Sequence, residues 1–555
     1  MRLFRMNLGQ TRVRLVQAGA VFVAAALAAG CGNNYRPVIT PSNPTGPVQQ
    51  PLSWVAVVSA PSPATPGVAS IFDYSGDSLM AQANIGPGPI SFTVDESGNN
   101  GYTVNSDGTL TNFPVGNTLL QKSITYTTLP TTAQVVNVFS PQSGLWATDL
   151  CAANSSAVPC STWDNDPLTD NFSGSDVFIR IPADFQLSIP LPPTPVMITG
   201  PSINGSRFFA ISQGNQSGNV SSSVACNISP STVPVTGEAT GIEVGLDTTD
   251  KPIPVGICPV YAVESTDAKR LFVLNRGSDT VSVINAQTHL LDDCVCPSTG
   301  CVNQDNQIFT CHPTLPLSTT ALSATGITPP NCTLSADPTC GGMTAVAGPV
   351  YAVYNATTNQ LIVANYDGST ISIIDVSLDE YGNDSATFGT TFTVKVGNNP
   401  ASVTVLVDGS RAYTANQTDQ TVTIVDLSSG AHSVEKTLTG ITGHPRTVVS
   451  TQNSSYGKVY VASPDSGVLT IIRTDEDIVD VTPTVEGNIV DVRVNTQNGV
   501  SGNFNNVSRA PGFGQPCNLP DVPGGYQVTG APAGTTVEPT SSLADCQAQN
   551  SSLLK

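Results

Sequence analysis

Few side chains in this sequence are placed to move a proton. Three stand out in segments otherwise made of Val, Ala, Ser and Thr: Glu264, which ends Pro259-Val-Tyr-Ala-Val-Glu, and His444 with Arg446, either side of Pro445. A carboxylate and an imidazole can act as acid and base, and a guanidinium can hold a developing oxyanion. These three are the candidate catalytic set, on condition that the fold brings them together. Asp491 and Arg493 are two further charges in an apolar stretch. The chain has four histidines (His289, His312, His432 and His444), too few for a His-rich metal centre. For a hard cation such as Ca2+ the candidates are Asp164, Asp166 and Asp170, clustered with Asn165 and Asn171. Their spacing departs from the EF-hand loop, since Thr169 stands where that loop has Gly, and a solvated acidic loop is the plainer expectation. No phosphate-binding loop, dinucleotide fingerprint, nucleophile elbow or HExxH motif occurs, and nothing calls for a cofactor.

The 13 cysteines suggest a different chemistry. Cys31 follows a segment with four arginines and no acid, then the small apolar run Ala18 to Ala29 and Gly30. A basic region followed by a short apolar region is a secretory signal over residues 1–30, too short to span a bilayer as an ordinary helix. Leu27-Ala28-Ala29-Gly30-Cys31 resembles the bacterial lipoprotein signal. That resemblance implies a lipidated (palmitate-type) Cys31 at a new N-terminus and anchoring in the envelope, with Gly32 pointing to the outer membrane. The other 12 cysteines are an even number, as a disulfide framework in an exported chain requires. Cys151 with Cys160, Cys226 with Cys258, and Cys517 with Cys546 are natural local pairs. Cys294, Cys296, Cys301, Cys311, Cys332 and Cys340 leave several pairings open, and they lack the CxxC spacing of a metal cluster.

The elements that must position these groups repeat along the chain. Leu271–Asn285, Leu361–Asp375, Ala412–Asp426 and Val459–Arg473 align without gaps, each a strand, a polar turn and a strand of alternating β-branched residues. That is a hairpin signal. Asn275, Asn365 and Asn416 share one register at the end of the first strand, where a short amide can bond backbone groups of the turn. Each hairpin is preceded by a strand that starts at a hinge Pro: Pro259, Pro349, Pro400 and Pro445, with weaker copies at Pro89, near Pro130 and at Pro195. The unit of four antiparallel strands recurs 51 and 47 residues apart, judged from Asn365, Asn416 and Ser463. Such a period indicates the blades of an all-β propeller.

The pattern of hinge Pro, small apolar strand, Tyr-Val-Ala-Asn-like strand and Thr-Val-Ser-Ile-Ile-Asp-like strand resembles the YVTN-type β-propeller. That group is related to the seven-bladed lactonase-like propellers. The resemblance implies the fold over residues 53–495 and says little about function. Seven hinges start complete units. Residues 53–87 supply three strands without a first one, and 487–494 a first strand without the rest. Joining the two ends gives eight blades, where the family default is seven. Disulfide-rich insertions interrupt the ring near 151–176 and 289–344. Residues 31–52 read as a flexible tether, and 496–555 as a low-complexity tail.

Composition narrows the partners. Only 11% of residues are charged, against about 25% on average, which excludes coiled coils and charged helical solenoids. Loss of the signal removes four arginines and takes the net charge from −20 to −24, which excludes nucleic acid as a partner. The expectation is a lipid-anchored envelope propeller that binds a protein, glycan or small ligand on its rim. The alternative is a lactonase-like hydrolase of a small ester at the funnel.

Overall fold

The computed structural model describes residues 54–494, apart from interior stretches of which 152–173, 214–235 and 318–346 are the longest, and two short strands beyond, Tyr526–Gln527 and Thr536–Val537. Residues 1–53, including Cys31, and most of the tail with Cys517 and Cys546 lie outside the described residues, as do Cys160, Asp164, Asp166, Asp170, Cys226, Cys296, Cys332 and Cys340. No helix long and apolar enough to cross a membrane occurs among the described residues.

Those residues form eight antiparallel sheets of four or five strands, named here A to H in chain order, and two small two-stranded ones. The first strands of sheets B to H are Pro89–Val94, Ala133–Phe139, Pro195–Thr199, Pro259–Glu264, Pro349–Asn355, Pro400–Val405 and Thr447–Ser450. Sheet A joins both ends of the described chain. Its first strand is Asn488–Val494, which pairs with Trp54–Ala60 through Val55 and Val494, Val57 and Val492. Pro66–Asp73 and Ser78–Pro87 complete it. First strands lie against one another in sequence from A to H, and that of H lies against that of A.

Burial explains the sequence pattern. Pro259–Glu264 and Pro400–Val405 are buried at every position. These first strands are therefore covered on both faces, as stacked blades require. The hinge depends on backbone geometry as well as on proline. Gly88, Cys258, Gly348 and Asn399, each just before the hinge Pro, have φ of +54°, +52°, +59° and +55°. This left-handed kink turns the chain from an outer strand back to the next first strand.

The aligned asparagines differ from expectation. They bond side chains across the hairpin rather than the turn backbone. Asn275 Nδ2 donates to Thr280 Oγ1 (3.2 Å) and Ser282 Oγ (2.9 Å). Asn365 does the same to Thr370 and Ser372 at 3.1 and 2.9 Å, and Asn416 to Thr421 and Thr423 at 3.0 and 2.8 Å. The register is the reason: Asn275 pairs Thr280, so hydroxyls on the facing strand point at the amide.

The 289–344 insertion splits the outer strand of sheet E. Leu290–Leu291 and Thr314–Pro316 both pair with the third strand, Thr280–Asn285. Between them Cys301–Val302 and Ile308–Phe309 form a small hairpin. Cys294 and Cys311 are disulfide-bonded with Cα atoms 5.6 Å apart, and Cys258 and Cys301 are also in disulfides. His312 follows, with Nδ1 2.8 Å from Asp384 Oδ2 in the connection between the third and outer strands of F and its ring stacked on Phe388. Asp384 in turn takes Arg270 of sheet E at 3.3 Å. The insertion is thus stapled within itself by a disulfide and held on E and F by strand pairing and the Asp384 ion network. The other insertion opens after Cys151, at the end of the second strand of sheet C.

Candidate functional site

In an antiparallel meander the first-to-second and third-to-outer turns share one rim, and the hinge and second-to-third turn share the other. Adjacent blades run the same way. Ser402 Oγ donates to Arg446 O, and Thr404 pairs with Ser450, so the first strands of G and H advance together. Glu264 ends the first strand of E, on the first rim. His444 and Arg446 lie in the hinge before the first strand of H, on the second rim. The fold therefore brings His444 and Arg446 close in sequence and space, and places Glu264 at the opposite end.

Each of the three also has its own surroundings. Glu264 is 2% exposed, and burial, followed by Asp267, holds its carboxyl well above the usual range. Asp465 accepts the His444 backbone N–H at 2.7 Å and lies 2.6 Å from its Nδ1. Arg446 is buried; its backbone N–H donates to Ala462 O at 2.9 Å, and its Nη2 donates to Val490 O. These bonds fix a hinge to its own hairpin and to the closing strand of A.

Several first strands carry large buried groups. Tyr261 and Tyr351, on the first strands of E and F, have ring centroids 4.7 Å apart. Arg493 and Asp491 on the closing strand form an ion pair of 2.9 Å and are 1% and 0% exposed. Burial, then Tyr351, pushes the Tyr261 phenol well up, while Arg493 pulls it down and Asp491 adds to the rise. Tyr261 is on sheet E and Arg493 on the first strand of sheet A. Asp491 and Arg493 neutralise one another there.

A second cluster lies between blades D and E, on the same rim as Glu264. Glu243 ends the third strand of D, Thr236–Glu243. Asp250 follows the short strand Thr248–Thr249. His289 stands in the third-to-outer turn of E with φ of +54°, a conformation that His tolerates better than most residues. His289 Nδ1 bonds Asp250 Oδ2. The imidazole fills a notch over Gly241, where an added Cβ would come 2.6 Å from Nδ1, and it meets the edge of Phe209 at 5.1 Å between centroids. One donor atom from each of Glu243, Asp250 and His289 lies within 4.8 Å of the others. The three line an open pocket of about 700 Å3, with Lys251 and Asp293 also on its wall. Spacing in the sequence could not have found this set, because its members come from turns of two different sheets.

No family model matches the chain, and no curated protein does. Solved structures do. Dihydro-heme d1 dehydrogenase NirN is similar at 12% identity and TM-score 0.50, over 83% of this chain and 78% of NirN. AztD from Citrobacter koseri is similar at 10% identity and TM-score 0.47, over 80% of this chain and 98% of AztD. The periplasmic gluconolactonase PpgL of Pseudomonas aeruginosa is similar at 12% identity and TM-score 0.42, over 80% and 99%. At these identities the likeness shows the β-propeller fold alone.

Proposed function

We propose that the protein is an exported, lipid-anchored propeller of eight blades, closed by pairing of its end strands, that works as a non-catalytic binding scaffold. The observation that carries this reading is the separation of Glu264 from His444 and Arg446 on opposite rims. A hydrolase needs its acid, base and oxyanion donor within hydrogen-bond reach of one reacting atom. A scaffold needs a rigid platform with loops held at its rim, and the stapled insertion on E and F supplies such loops. The eight-blade count is supported by eight sheets and by first strands that neighbour each other all the way round. Export is supported by the disulfides, which persist in oxidising compartments. The partner is an envelope protein, glycan or small ligand, and the strongly acidic chain is unsuited to nucleic acid.

The test is a panel of lactones and small esters offered to the purified chain from residue 32 onward, beside Glu264→Gln. No turnover above the buffer rate is expected for either protein. Turnover by the parent that is lost in Glu264→Gln would overturn the scaffold reading in favour of a lactonase-like enzyme. Anchoring has its own check: Cys31→Ser is expected to move the protein from the membrane to the soluble fraction.

A further inference from the structure

Two blade junctions share an arrangement that a third varies. In blades A and H the residue just before the outer strand is an aspartate with left-handed backbone, Asp77 (φ +51°) and Asp477 (φ +52°). Each receives a cation from the first residue of the second strand of the preceding blade. Lys458 Nζ lies 2.5 Å from Asp77 Oδ1, and Arg411 pairs with Asp477. In blade E this slot holds His289, with φ of +54°. Its partner from blade D is a carboxylate, Asp250, with Glu243 beside it. The acceptor of a cationic side chain is here replaced by an imidazole, and the preceding blade presents acids. That set has the composition of a metal site.

We propose that Glu243, Asp250 and His289 bind a divalent transition metal ion of the Zn2+ or Mn2+ type between blades D and E. One imidazole and two carboxylates suit such ions. Their bonds run to about 2.0–2.2 Å, which sets donor–donor edges of about 3.4 Å in a tetrahedral site. Donor atoms already within 4.8 Å of one another need a closure of little more than one ångström. The histidine is positioned in advance. It is 8% exposed, held by the Gly241 notch and the Phe209 edge, with Nδ1 turned to Asp250. Asp250 and Glu243 are partly exposed and open on the pocket, so an ion can enter from solvent. Three carboxylates (Glu243, Asp250 and Asp293) against one ammonium (Lys251) make the pocket attractive to a cation. Three protein ligands leave a coordination position facing the pocket, where water or a ligand carboxylate completes the shell.

The experiment is calorimetric titration of Zn2+, and separately Mn2+, into the chelator-stripped mature chain in excess Ca2+, which occupies hard oxygen-only sites. One equivalent is expected to bind with micromolar or tighter affinity. His289→Asn, chosen because Asn accepts a left-handed φ, Asp250→Asn and Glu243→Gln are each expected to weaken that site at least tenfold, while the metal-free variants still unfold cooperatively above the titration temperature. X-ray absorption of the Zn2+-loaded parent is expected to show one imidazole with oxygen neighbours. No binding by the parent would overturn the proposal. So would unchanged affinity in any folded variant, or a first shell of sulfur or without imidazole.

Discussion

Replacing Asn365 by Ala would leave the hydroxyls of Thr370 and Ser372 without their shared donor inside a fully buried hairpin. Two lost bonds in such a place cost about 2 kcal/mol. We expect a lower urea midpoint at unchanged slope; an unchanged midpoint would mean that the hydroxyls find other partners. The same geometry explains an upstream glycine. A Cβ on Gly397 would lie 2.6 Å from Asn416 Cγ, so Gly397→Ala should destabilise strongly in the parent and much less beside Asn416→Ala. Asp279 governs a pH effect at this scale. It is 2% exposed and accepts the Gly348 N–H at 2.8 Å, and burial raises its carboxyl to about 7. Between the ordinary value of 3.8 and about 7, the folded chain keeps a proton that the unfolded chain has released. Its contribution to stability is therefore full below about 3.8, falls as pH rises through that window and is lost above it, by at most about 1.4 kcal/mol per pH unit. Asp279→Asn, which keeps the acceptor oxygen, should flatten thermal stability between pH 5 and pH 8 relative to the parent.

Elements are joined by clamps whose halves are far apart in the chain. Lys458 and Asp77 are 11% and 4% exposed and tie blade H to the N-terminal strands of A. Removing one charge of such a pair strands the other, at a cost of about 3 kcal/mol. Lys458→Met should therefore speed protease cleavage around Asp77 and the strand Ser78–Pro87 more than elsewhere, as read by mass spectrometry of early fragments. Equal cleavage in parent and variant would show that the clamp holds nothing. The hairpins and hinges were legible in the sequence because their signals are local: Pro259, Pro349 and Pro400 recur at fixed distances from aligned Val, Ile and Thr runs. The end-to-end pairing was legible too, from three strands lacking a first and one first strand lacking the rest. The asparagine bonds were legible in position and not in partner, since the partner depends on register. The clamps and the Glu243, Asp250 and His289 cluster were not legible at all. Asp77 is an ordinary turn residue until Lys458 is set against it, and nothing in the sequence around His289 sets it apart from the other histidines. Glu264, His444 and Arg446 stood out because they are charges among apolar residues; position along the strand, which decides whether they meet, depends on which rim each turn faces.

At the scale of the whole molecule, the closing strand is the point of greatest leverage. A chain ending at residue 487 would leave Trp54–Ala60 with an open edge and blades H and B without their neighbour at the axis. We expect it to lose cooperative thermal unfolding, whereas a chain ending at 495 should keep it. The pairing of Val55 with Val494 also sets a schedule. A chain made from its N-terminus presents Trp-Val-Ala-Val-Val-Ser-Ala early, and the partner of that strand comes 439 residues later. The segment is apolar, uncharged and rich in valine, the composition that adds itself to any available strand edge. Until synthesis reaches residue 488, the molecule carries an unmatched sticky edge. Its yield is thus decided by what keeps that edge occupied during the wait, and solubilising tags or holding chaperones acting on the first strands should matter more than anything done to the finished ring.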